Sequence, residues 1–193
     1  MTQDSAFRQA YDKWHDSFSV DSEVDTPWHR AVQSYLPAIG KLDGKRILEI
    51  GCGRGAFACW LSRAYSSARV TTADFSGAAI AQASSFAQKS SINNIEWKIE
   101  NIQVTSLPGN SFDVVISCET VEHLLQPASA VKELARCSSP AVRYFLRHQT
   151  TLTYSASTAV TVDSLAGASA KSGNPSIGSQ VCRALFDGAS KPA

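Results

Sequence analysis

The sequence lacks the long apolar runs of a membrane protein: no stretch approaches the roughly 20 apolar residues that a transmembrane helix needs. Its beginning has neither the basic start nor the apolar stretch of a secretory signal peptide. The formal net charge is +1 at pH 7, which gives no electrostatic indication of a nucleic-acid or anionic-membrane partner. We therefore expect a cytoplasmic protein without a transmembrane segment or a nucleic-acid partner.

Cysteine is scarce, and its spacing disfavours the common cysteine-based scaffolds. The five cysteines are Cys52, Cys59, Cys118, Cys137 and Cys182. Their number is odd and no two form a CxxC pair, so reduced thiols are expected instead of a disulfide framework. No His or Cys has metal-ligand spacing to Cys52 or Cys59, so we predict no metal site and interpret both as small buried residues.

Acidic residues nearly disappear towards the end of the chain. Residues 1–136 hold 15 of the 17 acidic residues, and only Asp163 and Asp187 follow. Residues 137–193 are dominated by Ser, Thr, Ala and Gly and show weak periodicity. A chain of 193 residues suffices for one domain with a real core. The change near position 136 sets the last segment apart from the domain before it.

Between residues 46 and 136, short apolar strands alternate with helical patterns. The predicted strands are Arg46–Ile50, Arg69–Ala73, Ile95–Glu100 and Phe112–Ser117. The predicted helices are Ala56–Tyr65, Gly77–Lys89 and Pro127–Arg136. This alternation predicts an α/β fold with a doubly wound, mostly parallel sheet covered by helices on both faces. Ligands of such sheets bind outside the carboxyl ends of the strands.

The first forty residues predict two helices. An aromatic stripe with spacings of three and four residues indicates a short amphipathic helix over residues 5–18. The members of this stripe are Phe7, Tyr11, Trp14 and Phe18. Pro27 opens a second helical stretch that runs to about Leu36.

The sharpest local signal is the segment Ile47-Leu-Glu-Ile-Gly-Cys-Gly-Arg-Gly55, in which a buried strand runs into a glycine-rich turn before a helix. Glycines there allow a sharp turn close to a ligand, and the next helix points free N–H groups at it. Dinucleotide-binding folds use a related loop but favour GxGxxG. The GxGxG spacing and the acidic Glu49 ahead of the first glycine disfavour that class.

Asp74 ends the second predicted strand, 19 residues after Gly55. A carboxylate at this position can accept hydrogen bonds from both hydroxyls of a ribose. The alternative is an ordinary loop or helix N-cap residue. Phe75 would then lie beside an adenine, although a core position suits it equally.

Together these segments resemble the class I S-adenosylmethionine-dependent methyltransferases of the small-molecule type, in the ubiquinone-biosynthesis-like, methyltransferase type 11 group. ILEIGCGRG is similar to the family's first motif, TTADFS to its acidic second-strand end, and LPGNSFDVVISCETVEHL to its fourth-strand region. The resemblance covers residues 5–136. It implies a Rossmann-like fold, S-adenosyl-L-methionine as cofactor and methyl transfer to a small-molecule acceptor.

The resemblance also implies the residues of the cofactor site. They are Glu49, Gly51, Cys52, Gly53, Gly55, Asp74, Phe75, Asn101, Ile102, Cys118 and Glu119. Glu49 would position the methionine moiety and Asp74 would hold the ribose. Asn101 stands where the family often has an Asp that contacts the adenine amine, and its carbonyl oxygen can accept the same hydrogen bond. Cys118 and Glu119 would line the floor of the pocket.

His123 in the VEHL segment is the candidate catalytic residue, as a general base near the methyl donor; a packed structural histidine is the alternative. Within the aromatic stripe, Tyr11, Trp14 and Phe18 would form a lid over the cofactor, as N-terminal helices do in related enzymes, or would pack in the core. The implied division is a helical lid over residues 1–40, a cofactor-binding core over 41–136, and a poorly ordered tail over 137–193.

The family pattern breaks at position 137, where a VLKPGG turn and a fifth strand are expected. The chain instead reads Cys-Ser-Ser-Pro-Ala-Val-Arg-Tyr-Phe-Leu. Back-translation of residues 136–146 with allowed codons, read from the third base, yields VLKPGGTVFL. We therefore interpret the tail as out of frame after the loss of one base at the codon for Arg136, with the sheet truncated after its fourth strand. A genuine divergent extension is the alternative.

Two other functions stay open beside methyl transfer. One is a truncated remnant that binds the cofactor without catalysis, because acceptor-binding residues normally come from the part of the fold that is missing. The other, less favoured by the GxGxG spacing, is a nucleotide-dependent oxidoreductase.

Overall fold

A computed structural model describes residues 3–18, 26–124, 126–148 and 151–155. The strands are β1 Arg46–Ile50, β2 Arg69–Asp74, β3 Ile95–Ile99, β4 Phe112–Cys118, β5 Ser138–His148 and β6 Thr151–Ser155. The helices are α1 Gln3–Asp16, α2 Pro27–Tyr35, α3 Ala56–Ala64, α4 Gly77–Lys89 and α5 Pro127–Cys137. Short 3₁₀ turns cover Leu36–Ile39 and Val121–His123.

The strands form one sheet in the order β3-β2-β1-β4-β5-β6. The first five strands run parallel, and β6 pairs antiparallel with β5. This arrangement confirms the doubly wound, mostly parallel α/β fold. The chain moves outward from β1 to β3 and then crosses back to β4, so β1 and β4 flank the point where the strand order reverses. Ligands of doubly wound sheets bind at this switch point, beyond the carboxyl ends of the strands.

The core lies on both faces of the sheet because side chains alternate along each strand. Leu48 of β1 packs in one cluster with Leu134 of α5, whereas Ile47 packs in the other with Phe57 of α3. All four side chains are at most 1% exposed. Burying each stabilises the fold by roughly 1.5–3 kcal/mol. The apolar runs that predicted the strands therefore hold helices against both faces.

The sheet does not end at β4, which corrects the expected truncation after the fourth strand. β5 pairs parallel with β4, and its regular register begins with Val114 opposite Arg143. The physical reason is that β4 presents unpaired backbone groups at its edge, and the segment Arg-Tyr-Phe-Leu146 includes residue types common in strands. The tail predicted to be poorly ordered lies, from residue 156 onward, outside the described residues.

Candidate functional site

The glycine loop turns the chain sharply at the carboxyl end of β1. The N–H groups of Gly51 and Cys52 both donate to the carbonyl oxygen of Ala73, at 2.8 and 3.1 Å. This pair of hydrogen bonds ties the loop to the end of β2. The backbone angle φ is +79° at Gly51, +52° at Gly53 and +77° at Gly55. These values lie in the left-handed region, which side chains with a Cβ atom rarely adopt.

Two of these glycines are also required by close packing. A Cβ atom on Gly51 would lie 2.6 Å from Cγ2 of Thr120, in the loop after β4. A Cβ atom on Gly55 would lie 2.7 Å from both Ala83 of α4 and the ring of Trp97 of β3. The first glycine thus lets the loops after β1 and β4 close on each other, and the third lets the start of α3 pack on α4 and β3.

Asp74 places a buried carboxylate beside the glycine loop. Its side chain is 7% exposed; Oδ2 accepts a hydrogen bond from the N–H of Gly53 at 2.8 Å, and Oδ1 accepts one from the N–H of Ser76 at 2.9 Å. Burial raises the pKa of Asp74, while these backbone donors act in the opposite direction. The N-cap of α4 is Ser76, whose hydroxyl accepts from the N–H of Ala79, so the N-cap alternative for Asp74 is wrong.

Glu49 places a second buried carboxylate on the neighbouring strand. It is 4% exposed, and its Oε2 accepts a hydrogen bond from Oγ1 of Thr72 at 3.2 Å. In the β1–β2 register Glu49 lies opposite Thr72, two positions before Asp74. The two carboxylates therefore belong to adjacent strands and flank the glycine loop.

Helix α1 docks against the same end of the sheet. Oδ1 of Asp12 accepts hydrogen bonds from Oγ of Ser76 at 2.5 Å and from the N–H of Ala78 at 3.3 Å, at the first turn of α4. Nε2 of Gln82 donates to the carbonyl oxygen of His15 at 3.3 Å. These contacts hold α1 across the N-terminal part of α4, next to the end of β2.

Two members of the aromatic stripe, Trp14 and Phe18, do not lie in the core. Trp14 is 52% exposed and Phe18 is 45% exposed. Both rings contact the guanidinium group of Arg54, whose carbon lies 5.4 Å from the centre of the Trp14 ring and 5.2 Å from that of Phe18. The guanidinium of Arg8 lies 4.4 Å above the ring of Phe75. Trp14 and Phe18 thus lie against Arg54 of the glycine loop, and their exposure excludes the core alternative for these two residues.

The other predicted cofactor residues follow β3 and β4. Oδ1 of Asn101 accepts a hydrogen bond from the N–H of Gln103 at 2.9 Å, and Ile102 is 5% exposed within the core cluster beneath α5. Cys118 ends β4 and is half-buried. Glu119 follows with φ of +50°, a conformation that turns the chain out of the strand.

Cys52 and His123 differ in their surroundings. Cys52 is buried in the glycine loop, with its Sγ 3.6 Å from the carbonyl oxygen of Gly53. His123 is exposed at the end of the 3₁₀ turn after β4. The packed alternative for His123 is therefore wrong, and its role as a base stays a prediction.

Sequence reasoning missed four residues that shape the site. They are Asp12, His15, Arg54 and Thr120. Arg54 stood within the glycine motif, and His15 followed the aromatic Trp14, but neither has a spacing that indicates its partner. Within the described ranges, no group of His, Cys, Asp or Glu side chains is arranged to hold a metal ion. In those same ranges, no helix is long and apolar enough to cross a membrane.

The fold and site define an α/β protein with a glycine loop and two buried carboxylates at the switch point of a parallel sheet. The family described as a methyltransferase domain matches residues 48–146, from β1 into β5. The chain therefore belongs to this family, which is that of the class I S-adenosylmethionine-dependent methyltransferases.

Individual relatives share only part of their length with this chain. It is 36% identical over 109 residues to a ubiquinone biosynthesis O-methyltransferase of Alkalilimnicola ehrlichii, covering 53% of this chain and 40% of that protein. It is 30% identical over 131 residues to a putative methyltransferase of a Geobacillus species, covering 66% and 50%. The crystal structure of a methyltransferase from Aquifex aeolicus has a TM-score of 0.56 at 22% identity, covering 63% and 67%. The chain thus spans about half the length of the sequence relatives, and the structural likeness shows the fold.

Proposed function

We propose that this chain binds S-adenosyl-L-methionine and transfers its methyl group to a small-molecule acceptor. The observation that carries the proposal is the pair of buried carboxylates, Glu49 and Asp74, on adjacent strands beside the glycine loop. Carboxylate oxygens accept several hydrogen bonds each, and the cofactor offers an ammonium group and two ribose hydroxyls as donors. The donor set of the site therefore fits this cofactor.

Each carboxylate has a role that follows from its position. Asp74 is held by the N–H groups of Gly53 and Ser76, so its remaining lone pairs are oriented to accept the ribose hydroxyls. Glu49, deeper on β1, would hold the methionine end of the cofactor. Phe75 and Asn101 follow the ends of β2 and β3 and would contact the adenine. The bound sulfonium is an activated methyl donor, so the protein contributes chiefly alignment of the acceptor.

The acceptor in this proposal is a hydroxyl group of a quinone-type precursor. Its support is the name of the similar A. ehrlichii protein, a ubiquinone biosynthesis O-methyltransferase. Methylation of a hydroxyl requires loss of its proton, and exposed His123 after β4 would accept it. The proposed location is the cytoplasm, supported by the odd number of cysteines and the lack of a CxxC pair in the sequence.

Isothermal titration of S-adenosylhomocysteine into the full chain tests the cofactor site. We expect micromolar binding by the unaltered chain and roughly 100-fold weaker binding by Asp74→Ala, because two charge-assisted hydrogen bonds are lost. Asp43→Ala is the matched control, since Asp43 is an exposed carboxylate bonded to Ser67. A folded chain that binds NAD in preference to adenosylhomocysteine would contradict the proposal and favour an oxidoreductase.

Transfer of a labelled methyl group to catechol-type acceptors then tests catalysis. Activity that falls at least tenfold in His123→Ala, with cofactor binding unchanged, is the expected result for a general base. Binding without transfer to any such acceptor would instead identify the chain as a cofactor-binding remnant.

A further inference from the structure

His15 and Arg54 link helix α1 to the glycine loop. The side chains are 2% and 3% exposed, and Nδ1 of His15 lies 3.3 Å from Nη1 of Arg54. Arginine carries donors and no acceptor, so Nη1 donates to Nδ1 only when that nitrogen bears no proton. The contact therefore requires an imidazole with an unprotonated Nδ1 and opposes a second positive charge.

Arg54 is the residue through which the glycine loop contacts α1. It lies between Gly53 and Gly55 in the chain, and its guanidinium also contacts the rings of Trp14 and Phe18. Contacts between a guanidinium and aromatic faces are attractive, and more so when water is excluded. Movement of α1 away from the sheet would therefore break the contacts of Arg54 with His15, Trp14 and Phe18.

The charges around His15 come from three elements. Asp74 at the end of β2 and Arg54 of the glycine loop face it, and Asp12 and Asp16 lie on its own helix. Burial has the largest influence and lowers the pKa of His15; Asp74 raises it, and Arg54 lowers it further. The net pKa lies below 6.5, so the imidazole is neutral near pH 7 with α1 docked.

We propose that His15 is a positioning residue that, through Arg54, fixes helix α1 over the glycine loop and thereby sets the affinity for the cofactor. This inference rests on the proposed cofactor site. Helix α1 docks when His15 is neutral. Protonation of His15 would place a second positive charge next to that of Arg54 while α1 is docked. We call the His15–Arg54 pair the latch, since it makes the docking of α1 depend on pH.

The sign of the pH effect follows from proton linkage. With α1 undocked, His15 returns to water and to a pKa of about 6.5, so the undocked form binds more protons below that pH. Docking and cofactor affinity therefore weaken as pH falls below about 6.5. At a pH of about 5.5 the loss is at most about tenfold, because about ten undocked imidazoles are then protonated for each neutral one.

Titration calorimetry with S-adenosylhomocysteine on the full chain, at pH about 7.5 and about 5.5, tests the latch. The unaltered chain is expected to bind severalfold more weakly at the lower pH, by at most about tenfold. The His15→Asn side chain does not titrate. Its Oδ1 is separated from Cβ by the same number of bonds as Nδ1 of histidine, so it can accept the hydrogen bond from Arg54. The His15→Asn chain should bind like the unaltered chain at the higher pH and lose less than about twofold at the lower.

His29→Asn is the matched control, because it removes a histidine that stacks on Phe57 in a different part of the fold. This variant should keep the full pH dependence. If His15→Asn is unfolded, His15→Gln provides the second neutral acceptor. An equal pH dependence in the unaltered chain and in a folded His15 variant would overturn the latch.

Hydrogen exchange of the α1 amides separates failure of the latch from failure of the proposed function. Without ligand at a pH of about 5.5, α1 should exchange at least about threefold faster in the unaltered chain than in His15→Asn. Equal exchange rates would contradict the latch. No binding by a folded chain at the higher pH would contradict the cofactor site, while the exchange rates would still decide whether His15 holds α1.

Discussion

The strands on the two sides of β4 pair in different ways. On one side, β1 pairs residue by residue with β2 and with β4, and β2 pairs in the same manner with β3. On the other side, the partner of Phe112 is Ser138, while the partner of Val114 is Arg143. Two steps along β4 thus correspond to five along β5. The inner strands keep a regular register, and the outer strand reaches its register only from Arg143 onward.

The difference is explained by the connection that precedes each strand. A loop precedes each of β2, β3 and β4 (residues 65–68, 90–94 and 100–111), whereas α5 ends at Cys137 and β5 begins at Ser138. Residues 139–142 lie within the register shift and include Pro140, which has no N–H to donate to a neighbouring strand. When the codons are read in the shifted frame, the segment KPGG occupies residues 139–142. The segment TVFL then begins at position 143, where the regular pairing with β4 begins. We propose on this basis that the chain is out of frame from position 137.

Restoring the frame is expected to give the largest effect. Insertion of one G at the codon for Arg136 should produce a chain with VLKPGGTVFL and a better-packed outer sheet, stabilised by roughly 5 kcal/mol through two or three newly buried apolar side chains. The midpoint of thermal unfolding should rise by at least about 10 °C. Resequencing the gene across that codon is the direct check; an intact frame encoding the present tail would refute the proposal.

Gly51→Ala tests the packing of the loops after β1 and β4. The new Cβ atom would strain the left-handed backbone and overlap Thr120, so we expect a loss of about 3 kcal/mol in the free energy of unfolding. Gly44→Ala is the matched control: its φ is +68°, but nothing lies within 4 Å of the added atom. Its loss should be about 1 kcal/mol. Equal losses in urea denaturation would show that Thr120 does not constrain Gly51.

Asp113→Asn tests the junction between the inner and outer strands. Asp113 accepts hydrogen bonds from the side chain and N–H of Arg46 at 2.9–3.2 Å and from Oγ of Ser139 at 3.4 Å. The adjacent Arg46 lowers the pKa of Asp113 from 3.8 to about 2. Because the Arg46 side chain is 41% exposed and the pair is screened by water, we expect a loss of only about 1 kcal/mol near neutral pH.

The pH dependence of this pair has a definite sign. A depressed carboxyl pKa stabilises the fold above about pH 3.8, and this stabilisation is lost as pH falls towards 2. The difference between Asp113→Asn and the unaltered chain in urea midpoints should therefore shrink over that range. A constant difference down to a pH of about 2 would show that the carboxylate charge contributes nothing.

Thiol labelling has the smallest expected effect, and it compares the inner part of the fold, which holds Cys59, with the α5–β5 junction, which holds Cys137. Burial raises the pKa of Cys59 to about 11 and also raises that of Cys137 at the end of α5. Cys118 is half-buried. A thiol reagent at a pH of about 8 should label Cys118 in the native chain and leave the other two unlabelled, as read by peptide mass mapping. Labelling of Cys137 with Cys59 still protected would show that the α5–β5 junction opens locally.

Most of the inner fold was predictable because local signals there agree with one another. The predicted helix Gly77–Lys89 matches α4, and the predicted strand Arg69–Ala73 stops one residue short of β2. Apolar runs bounded by glycine and polar turns define these elements with little help from distant residues. The buried positions of Glu49 and Asp74 followed from the same pattern, since residues at strand ends meet at one edge of a parallel sheet.

The contacts that complete the site could not be predicted, because they join segments far apart in the chain. His15 and Arg54 are 39 residues apart, and Asp12 meets Ser76 across 64 residues. Neither pair has a spacing that a helix or strand period would reveal. Strand β5 could not be predicted for a different reason. Its residues differ from the family's fifth strand, but pairing with β4 needs only residues that tolerate an extended backbone.

The strand order also determines when each part of the fold is complete during synthesis. The sheet grows outward from β1, first towards β3 and then to β4, so the four inner strands and both buried carboxylates precede position 137. Chains fold in units from the N-terminus as they leave the ribosome. A ribosome that reads past the codon for Arg136 in either frame has already synthesised the four inner strands and both carboxylates of the proposed cofactor site, and the frame decides only which strand is added to them.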